Sequence, residues 1–136
     1  MLFRSGCGLL AVAAAKSGAA ETIAAEIDPF ACDAIVRNAE LNGVAVTIRN
    51  DNVIDGEEDW DVVLVGDMCY ERPLAESLMA WLRRLLSRGA LVLLGDPGRN
   101  YFPASGVQLL QTYDVPTLLD LEDKPTRKTG VYKLLA

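Results

Sequence analysis

Glu21-Thr22-Ile23-Ala24-Ala25-Glu26-Ile27-Asp28-Pro29-Phe30 contains the transition that decides the fold. The stretch from Glu21 to Ile27 is mostly apolar, of strand length, and ends at an acid. Asp28 then precedes Pro29, whose fixed φ suits a first helical position where its missing N–H is no loss. Phe30, Ala34, Ile35, Ala39 and Leu41 continue at roughly helical spacing until Asn42-Gly43 closes the element. This is a strand feeding a helix, with Asp28 as the better cap and Glu26 left free for another task.

The same rhythm extends in both directions. Gly8 to Ser17 is rich in Ala and Leu and predicts a helix that stops at Gly18. Val44 to Ile48 predicts a strand, and Asn50 to Asp59 is polar enough to be a loop. Trp60 to Val65 is a nearly continuous apolar run of the kind expected for a strand buried on both faces. Leu74, Leu78, Trp81, Leu82 and Leu85 mark a helix over Pro73 to Leu86, ended by Gly89. Ala90 to Leu94 predicts a further buried strand, broken by Gly95-Asp96-Pro97-Gly98. Alternation of this kind predicts an α/β fold, a mostly parallel sheet with helices on both faces. The last third departs from it. Val107 to Gln111 reads as a helical turn or two, and Thr112 to Leu121 and Thr129 to Leu135 as strands joined by a turn over Glu122 to Arg127. That predicts a C-terminal antiparallel hairpin at the edge of the sheet.

A chain of 136 residues, 51% hydrophobic and 24% charged, holds one packed core, so residues 1–136 are read as a single domain. Thirteen Lys and Arg against nineteen Asp and Glu leave a net charge of -6, which argues against a nucleic-acid partner held through phosphates and favours a basic partner or a small ligand. Cys7, Cys32 and Cys69 are odd in number, and there is no His to complete a Cys/His metal site, so they read as free thiols of a cytoplasmic protein with no metal. The absence of His also removes any Ser-His-Asp triad within the chain. The apolar run from Leu9 to Ala15 ends at Lys16, too short for a membrane span and without the basic start of a signal peptide.

Ser5-Gly6-Cys7-Gly8-Leu9-Leu10-Ala11 fits the Gly-x-Gly-x-x-Ala form of a nucleotide-binding turn, in which glycines let the backbone approach a ligand at a helix N-terminus. Alone the pattern is weak, and a helix cap built from small residues explains it as well. Glu26 follows about twenty residues on, at the end of the next strand, where a carboxylate can accept hydrogen bonds from ribose hydroxyls. Asp51-Asn52, past the third predicted strand, offers an acceptor and an amide where such a sheet meets an adenine ring; an Asx turn is the ordinary alternative. Gly66-Asp67-Met68-Cys69-Tyr70 leaves a buried strand at its carboxyl end. Asp67 and Tyr70 there either orient a substrate nitrogen or serve as a helix cap and a core-edge aromatic.

Taken together with Gly95-Asp96-Pro97-Gly98-Arg99, these segments resemble the class I, seven-strand, S-adenosylmethionine-dependent methyltransferases. More narrowly they resemble the protein-lysine methyltransferase group that includes the electron transfer flavoprotein β-subunit lysine methyltransferases. The more specific pieces are the Asp-x-x-Tyr step at Asp67 and Tyr70 and the run from Gly95 to Arg99. The resemblance implies a Rossmann-like sheet and S-adenosylmethionine as cofactor. It implies that Gly6 and Gly8 line the methionine part, that Glu26 with Ile27 binds the ribose, and that Asp51 and Asn52 face the adenine. Asp67 and Tyr70 would be the catalytic pair beside the acceptor lysine, and Asp96 and Arg99 would place the substrate. The implied partner is a protein with an accessible lysine, and the implied compartment is the cytoplasm, or the mitochondrial matrix in a eukaryote.

The resemblance departs at its start. The family's first strand runs Leu-Asp-Leu-Gly into the glycine turn, whereas here Leu2 stands at the acid and Arg4 at the first glycine. Met1 to Arg4 therefore read as a foreign or misplaced start, the chain as a partial domain whose first strand is largely missing, and its activity alone as weak or absent. Unpaired backbone in the middle of a sheet costs roughly 1 to 3 kcal/mol per group. Small-molecule or ribosomal-protein N-methylation, and a non-catalytic fragment, are the alternatives. A nicotinamide-dependent oxidoreductase shares the glycine turn and distal acid but needs a second mononucleotide half where the terminal hairpin stands.

Overall fold

The computed structural model describes residues 1–54, 56–117 and 125–136. In chain order the elements are β1 (Leu2–Phe3), α1 (Leu9–Lys16), β2 (Ile23–Ala25), α2 (Pro29–Leu41), β3 (Thr47–Arg49), β4 (Val62–Gly66), α3 (Arg72–Ser87), β5 (Leu91–Asp96), β6 (Val107–Pro116) and β7 (Thr126–Leu134). The sheet order is β3-β2-β1-β4-β5-β7-β6. The first five strands run parallel, and β7 enters antiparallel between β5 and β6. All five parallel strands therefore deliver their following loops to one edge of the sheet.

Period-2 alternation divides the core between two faces. Leu2 and Ala24 point to the face covered by Ala11 of α1 and Ile35 of α2. Phe3, Ala25, Val63, Val65, Val92 and Leu94 point to the other, where Leu78, Trp81, Leu82 and Leu85 of α3 meet them. The Phe3 and Trp81 rings pack at 5.5 Å between centroids. The expectation of helices on both faces and a terminal hairpin holds.

The central strand is as short as the sequence implies, two residues, yet it is paired on both sides. Leu2 and Phe3 oppose Ala24 and Ala25 of β2 and Leu64 and Val65 of β4. The Met1 carbonyl accepts the Leu64 N–H at 3.0 Å, and the Ser5 N–H donates to the Ala25 carbonyl at 3.2 Å. The unpaired backbone expected here is not found at Met1 to Phe3. The strain lies one residue further on: Arg4 has φ +46°, a left-handed conformation that costs a residue with a Cβ roughly 1–2 kcal/mol.

Three sequence expectations need correction. Val107 to Gln111 is not a helical turn but the first half of β6, in register with β7 from Val107 opposite Leu134. A bulge between Leu109 and Gln111 inserts one extra residue, and this breaks the alternation that would have marked a strand. At the hairpin, β7 already begins at Thr126, so Arg127 belongs to a strand and not to the turn; the predicted strand end at 118–121 and the turn at 122–124 lie outside the described residues, as does Asp55 of the predicted loop. Trp60 stands before β4 and packs against the core from the side.

Candidate active site

The parallel strands bring five of the sequence's candidate segments to the same edge. After β1 come Gly6 and Gly8, both with positive φ (+54° and +85°). Gly8 is the residue before α1, and a Cβ there would lie 3.1 Å from the Ile35 side chain of α2. The close approach of α1 to α2 thus depends on the missing side chain. The Asn38 side-chain amide donates to the Cys7 carbonyl at 2.7 Å and ties the turn to α2.

Glu26 follows β2 and is buried. Its Oε2 accepts the Gly6 N–H at 2.9 Å; Oε1 accepts the N–H groups of Ile27 at 2.8 Å and Asp28 at 3.1 Å. A carboxylate has about four lone-pair positions, so one acceptor position remains, on Oε2, beside the glycine turn. Ile27 contributes its backbone to this arrangement and leaves its side chain half-exposed. Asp28 acts as the cap: its Oδ1 accepts the Phe30 N–H at 2.9 Å. The cap expected at Asp28 is present.

After β3, Asn50 donates from its amide to the Glu26 carbonyl at 2.9 Å and approaches the Cys32 sulfur at 3.5 Å. Partial burial, followed by the Glu26 charge, pushes the Cys32 thiol up. Asp51 is held by Arg49, whose Nε reaches Oδ1 at 3.0 Å and whose Nη1 reaches Glu58 at 2.7 Å. The guanidinium holds the Asp51 carboxyl below the usual carboxylate range. Asn52 accepts only a long 3.4 Å bond from the Ile54 N–H and lines a cavity of about 290 Å³ with Arg4, Ile54, Pro73, Leu74 and Ser77. Arg4 Nε is buried without a hydrogen-bond partner among the described residues.

After β4, Asp67 also has positive φ, +52°, and its N–H donates to the Gly95 carbonyl at 2.8 Å. It caps no helix; the residue preceding α3 is Glu71. Its carboxylate instead receives Nε and Nη2 of Arg99 at 2.6 and 2.7 Å. Asp96, at the end of β5, is 2% exposed and accepts the Gly98 and Arg99 N–H groups on Oδ1, each at 2.7 Å, while Oδ2 is buried without a partner among the described residues. Tyr70 is 51% exposed and makes no hydrogen bond among the described residues. Cys69 is buried, and burial, aided by Asp96 and Asp67, pushes its thiol up to about 11.

Two clusters emerge. Gly6, Glu26 and Ile27 form one, and Asp67, Arg99 and Asp96 the other; Asn52 lines the cavity with Arg4, and Asp51 is turned toward Arg49. Asn38 and Asn50, which brace the first cluster, carry no sequence signal, because an asparagine in a helix or loop reads as ordinary surface. Arg49, which holds Asp51 from the end of β3, carried no reading in the sequence. Among the described residues no group of three or more acidic or cysteine side chains is placed to hold a metal ion, and no helix is long and apolar enough to cross a membrane.

The chain is similar to the human electron transfer flavoprotein beta subunit lysine methyltransferase, 44% identical over 107 residues, covering 76% of this chain and 41% of that protein. The mouse protein of the same name is 39% identical over 135 residues, covering 94% of this chain and 53% of the relative. The chain thus spans about half the length, or less, of these relatives. Among solved structures, a ribosomal protein L11 methylase from Lactobacillus delbrueckii subsp. bulgaricus superposes with a TM-score of 0.64 at 19% identity, over 99% of this chain and 68% of that one. The family model described as ribosomal protein L11 methyltransferase (PrmA) matches residues 3–88, more than half of the chain. On that match, this chain belongs to the ribosomal protein L11 methyltransferase (PrmA) family, within the class I methyltransferases.

Proposed function

We propose that residues 1–136 act as one S-adenosylmethionine-dependent methyltransferase domain whose acceptor is a lysine side chain of a protein. The observation that carries the reading is the bond from the Gly6 N–H to Glu26 Oε2 at 2.9 Å, which sets a buried carboxylate with one open acceptor position directly against a glycine turn. That donor set suits a ribose hydroxyl. Asn52, which lines the cavity and whose amide donates no hydrogen bond among the described residues, suits an adenine edge. Asp51 would reach the adenine only with the lone pairs that Arg49 leaves on it. Gly6 and Gly8 supply the close backbone approach for the amino-acid end.

When bound, the cofactor supplies an electrophilic methyl group on a sulfonium. The chain's own task is to present an amine in line with it. A free lysine has a pKa of about 10.4, so deprotonation at pH 7 costs roughly 4.6 kcal/mol. Asp67 orients the acceptor nitrogen by hydrogen bonding, Tyr70 borders its approach from the exposed side, and Asp96 with Arg99 places the loop that faces both. Proximity and alignment then contribute most of the acceleration. The electron transfer flavoprotein β-subunit is the acceptor class favoured by the named relatives, and the free thiols are compatible with the cytoplasm, or the mitochondrial matrix in a eukaryote.

The test is transfer of tritiated methyl from S-adenosylmethionine to purified electron transfer flavoprotein β-subunit and, in parallel, to ribosomal protein L11. Label on lysines of the first supports the reading. Label on the second alone moves the acceptor to the ribosomal protein. No label on either, with cofactor bound, leaves a binding module.

A further inference from the structure

The Asp67 carboxylate is held from two sides. Its backbone is fixed in a left-handed conformation by the N–H bond to Gly95, and its side chain lies in the fork of Arg99 through two bonds of 2.6 and 2.7 Å. Arg99 is itself fixed at its backbone by buried Asp96, whose Oδ1 takes the Gly98 and Arg99 N–H groups after the chain turns at Gly98, φ +89°. The order of support is therefore Asp96, then Arg99, then Asp67. A planar guanidinium bonded to both oxygens sets the plane of a carboxylate, which a lysine ammonium in the same place would not do.

This matters for the protonation of an amine brought to Asp67. An uncompensated carboxylate stabilises the ammonium form and so raises the amine's pKa, which opposes nucleophilic attack. A carboxylate shared with a guanidinium keeps one lone-pair position on each oxygen for an amine N–H while attracting a positive charge less strongly. Among the described residues, the other groups named around Asp67 do not supply that compensation. Asp96 is a carboxylate, Cys69 is a thiol pushed up to about 11, Tyr70 and Glu71 lie on the exposed side, and the Arg72 guanidinium sits over the Tyr101 ring.

We propose that Arg99 is the positioning residue of the acceptor site. Clamped to Asp67, it fixes the carboxylate plane and offsets its charge, so that the acceptor lysine binds with its amine more readily deprotonated. This rests on the reading of Asp67 as the residue that meets the acceptor nitrogen.

The experiment measures methyl transfer by the whole chain to electron transfer flavoprotein β-subunit from about pH 6.5 up through the wild-type rising limb, for wild type, Arg99→Gln and Arg99→Lys. Arg99→Gln is expected to move the rising limb of kcat by about one pH unit to the alkaline side, a deficit of roughly tenfold below the limb that narrows as pH passes it. Cofactor KM stays unchanged, and Arg99→Lys recovers part of the loss. A loss by the same factor at every pH, or an unmoved limb, overturns the proposal. A second readout needs no turnover: the Arg99 Nε–H should give a slowly exchanging ¹H–¹⁵N resonance that vanishes in Asp67→Asn. Its absence from wild type overturns the clamp. If wild type transfers no methyl group at any pH, the functional reading fails, and the resonance alone decides the clamp.

Discussion

Asp67 and Arg99, 32 residues apart in the chain, meet across the carboxyl ends of β4 and β5 in a two-bond ion pair of 2.6 and 2.7 Å. The resemblance implied an acceptor-side place for both, and nothing in the sequence paired them. In the structure the Asp67 carboxylate is already half-occupied, which makes the order of its partners part of the chemistry.

Replacing Asp67 by Ala removes the carboxylate without touching the Glu26 cluster. Methyl transfer is expected to fall by about 10²-fold, on the scale of a lost orienting contact, with cofactor affinity nearly unchanged. Single-turnover rates and calorimetric cofactor titration, side by side, check this; equal loss of both contradicts the assignment.

Gly8→Ala tests the turn. The new Cβ would meet Ile35 at 3.1 Å, and the backbone has φ +85°, so destabilisation of about 1–3 kcal/mol is expected. Urea unfolding monitored by circular dichroism measures it, and an unchanged midpoint would mean the α1 to α2 contact is looser than described.

Arg4→Gly should do the opposite. It relieves a left-handed residue and removes a buried, unpartnered Nε from the wall of the Asn52 cavity, for a net gain of about 1 kcal/mol after the flexibility glycine adds. Cofactor binding should tighten several-fold as a cation leaves the cavity. Lower stability together with weaker binding would show that Arg4 supports the site.

The Cys69 thiol gives a pH dependence whose sign is fixed by burial. Its folded pKa is raised to about 11 from 9.0. Below about pH 9 the thiol is protonated in both states and its contribution is fully retained. Between about 9 and 11 the unfolded chain ionises while the folded one does not, so stability is lost as pH rises, by about 2–3 kcal/mol. Comparison with Cys69→Ala isolates the effect: the two unfolding curves should converge above pH 9, and parallel curves would count against it.

Much of the candidate site's placement was legible because it lies where strands end. Glu26 was found from its distance to the glycine turn and its place after an apolar run, and Asp28 from the proline beside it. The side-chain pairings were not legible. Nothing in the residue order says that Arg49 would take Asp51 or that Arg99 would cross to Asp67, since both depend on which strands become neighbours. The start of β6 was misread for a different reason: one bulged residue at the Leu109 to Gln111 step shifts the alternation that sequence reasoning relies on. The two-residue β1 held its place through pairing on both sides, where the sequence alone suggested unpaired backbone.

The central claim is that Glu26, bonded to the Gly6 N–H, forms the ribose end of a cofactor site. Calorimetric titration of S-adenosylmethionine into the chain and into its Glu26→Gln variant tests it most directly. The account predicts a single site in the first and at least tenfold weaker binding in the second, with the variant still folded by circular dichroism. Equal affinity in the two proteins, or no binding by the unsubstituted chain, would contradict it.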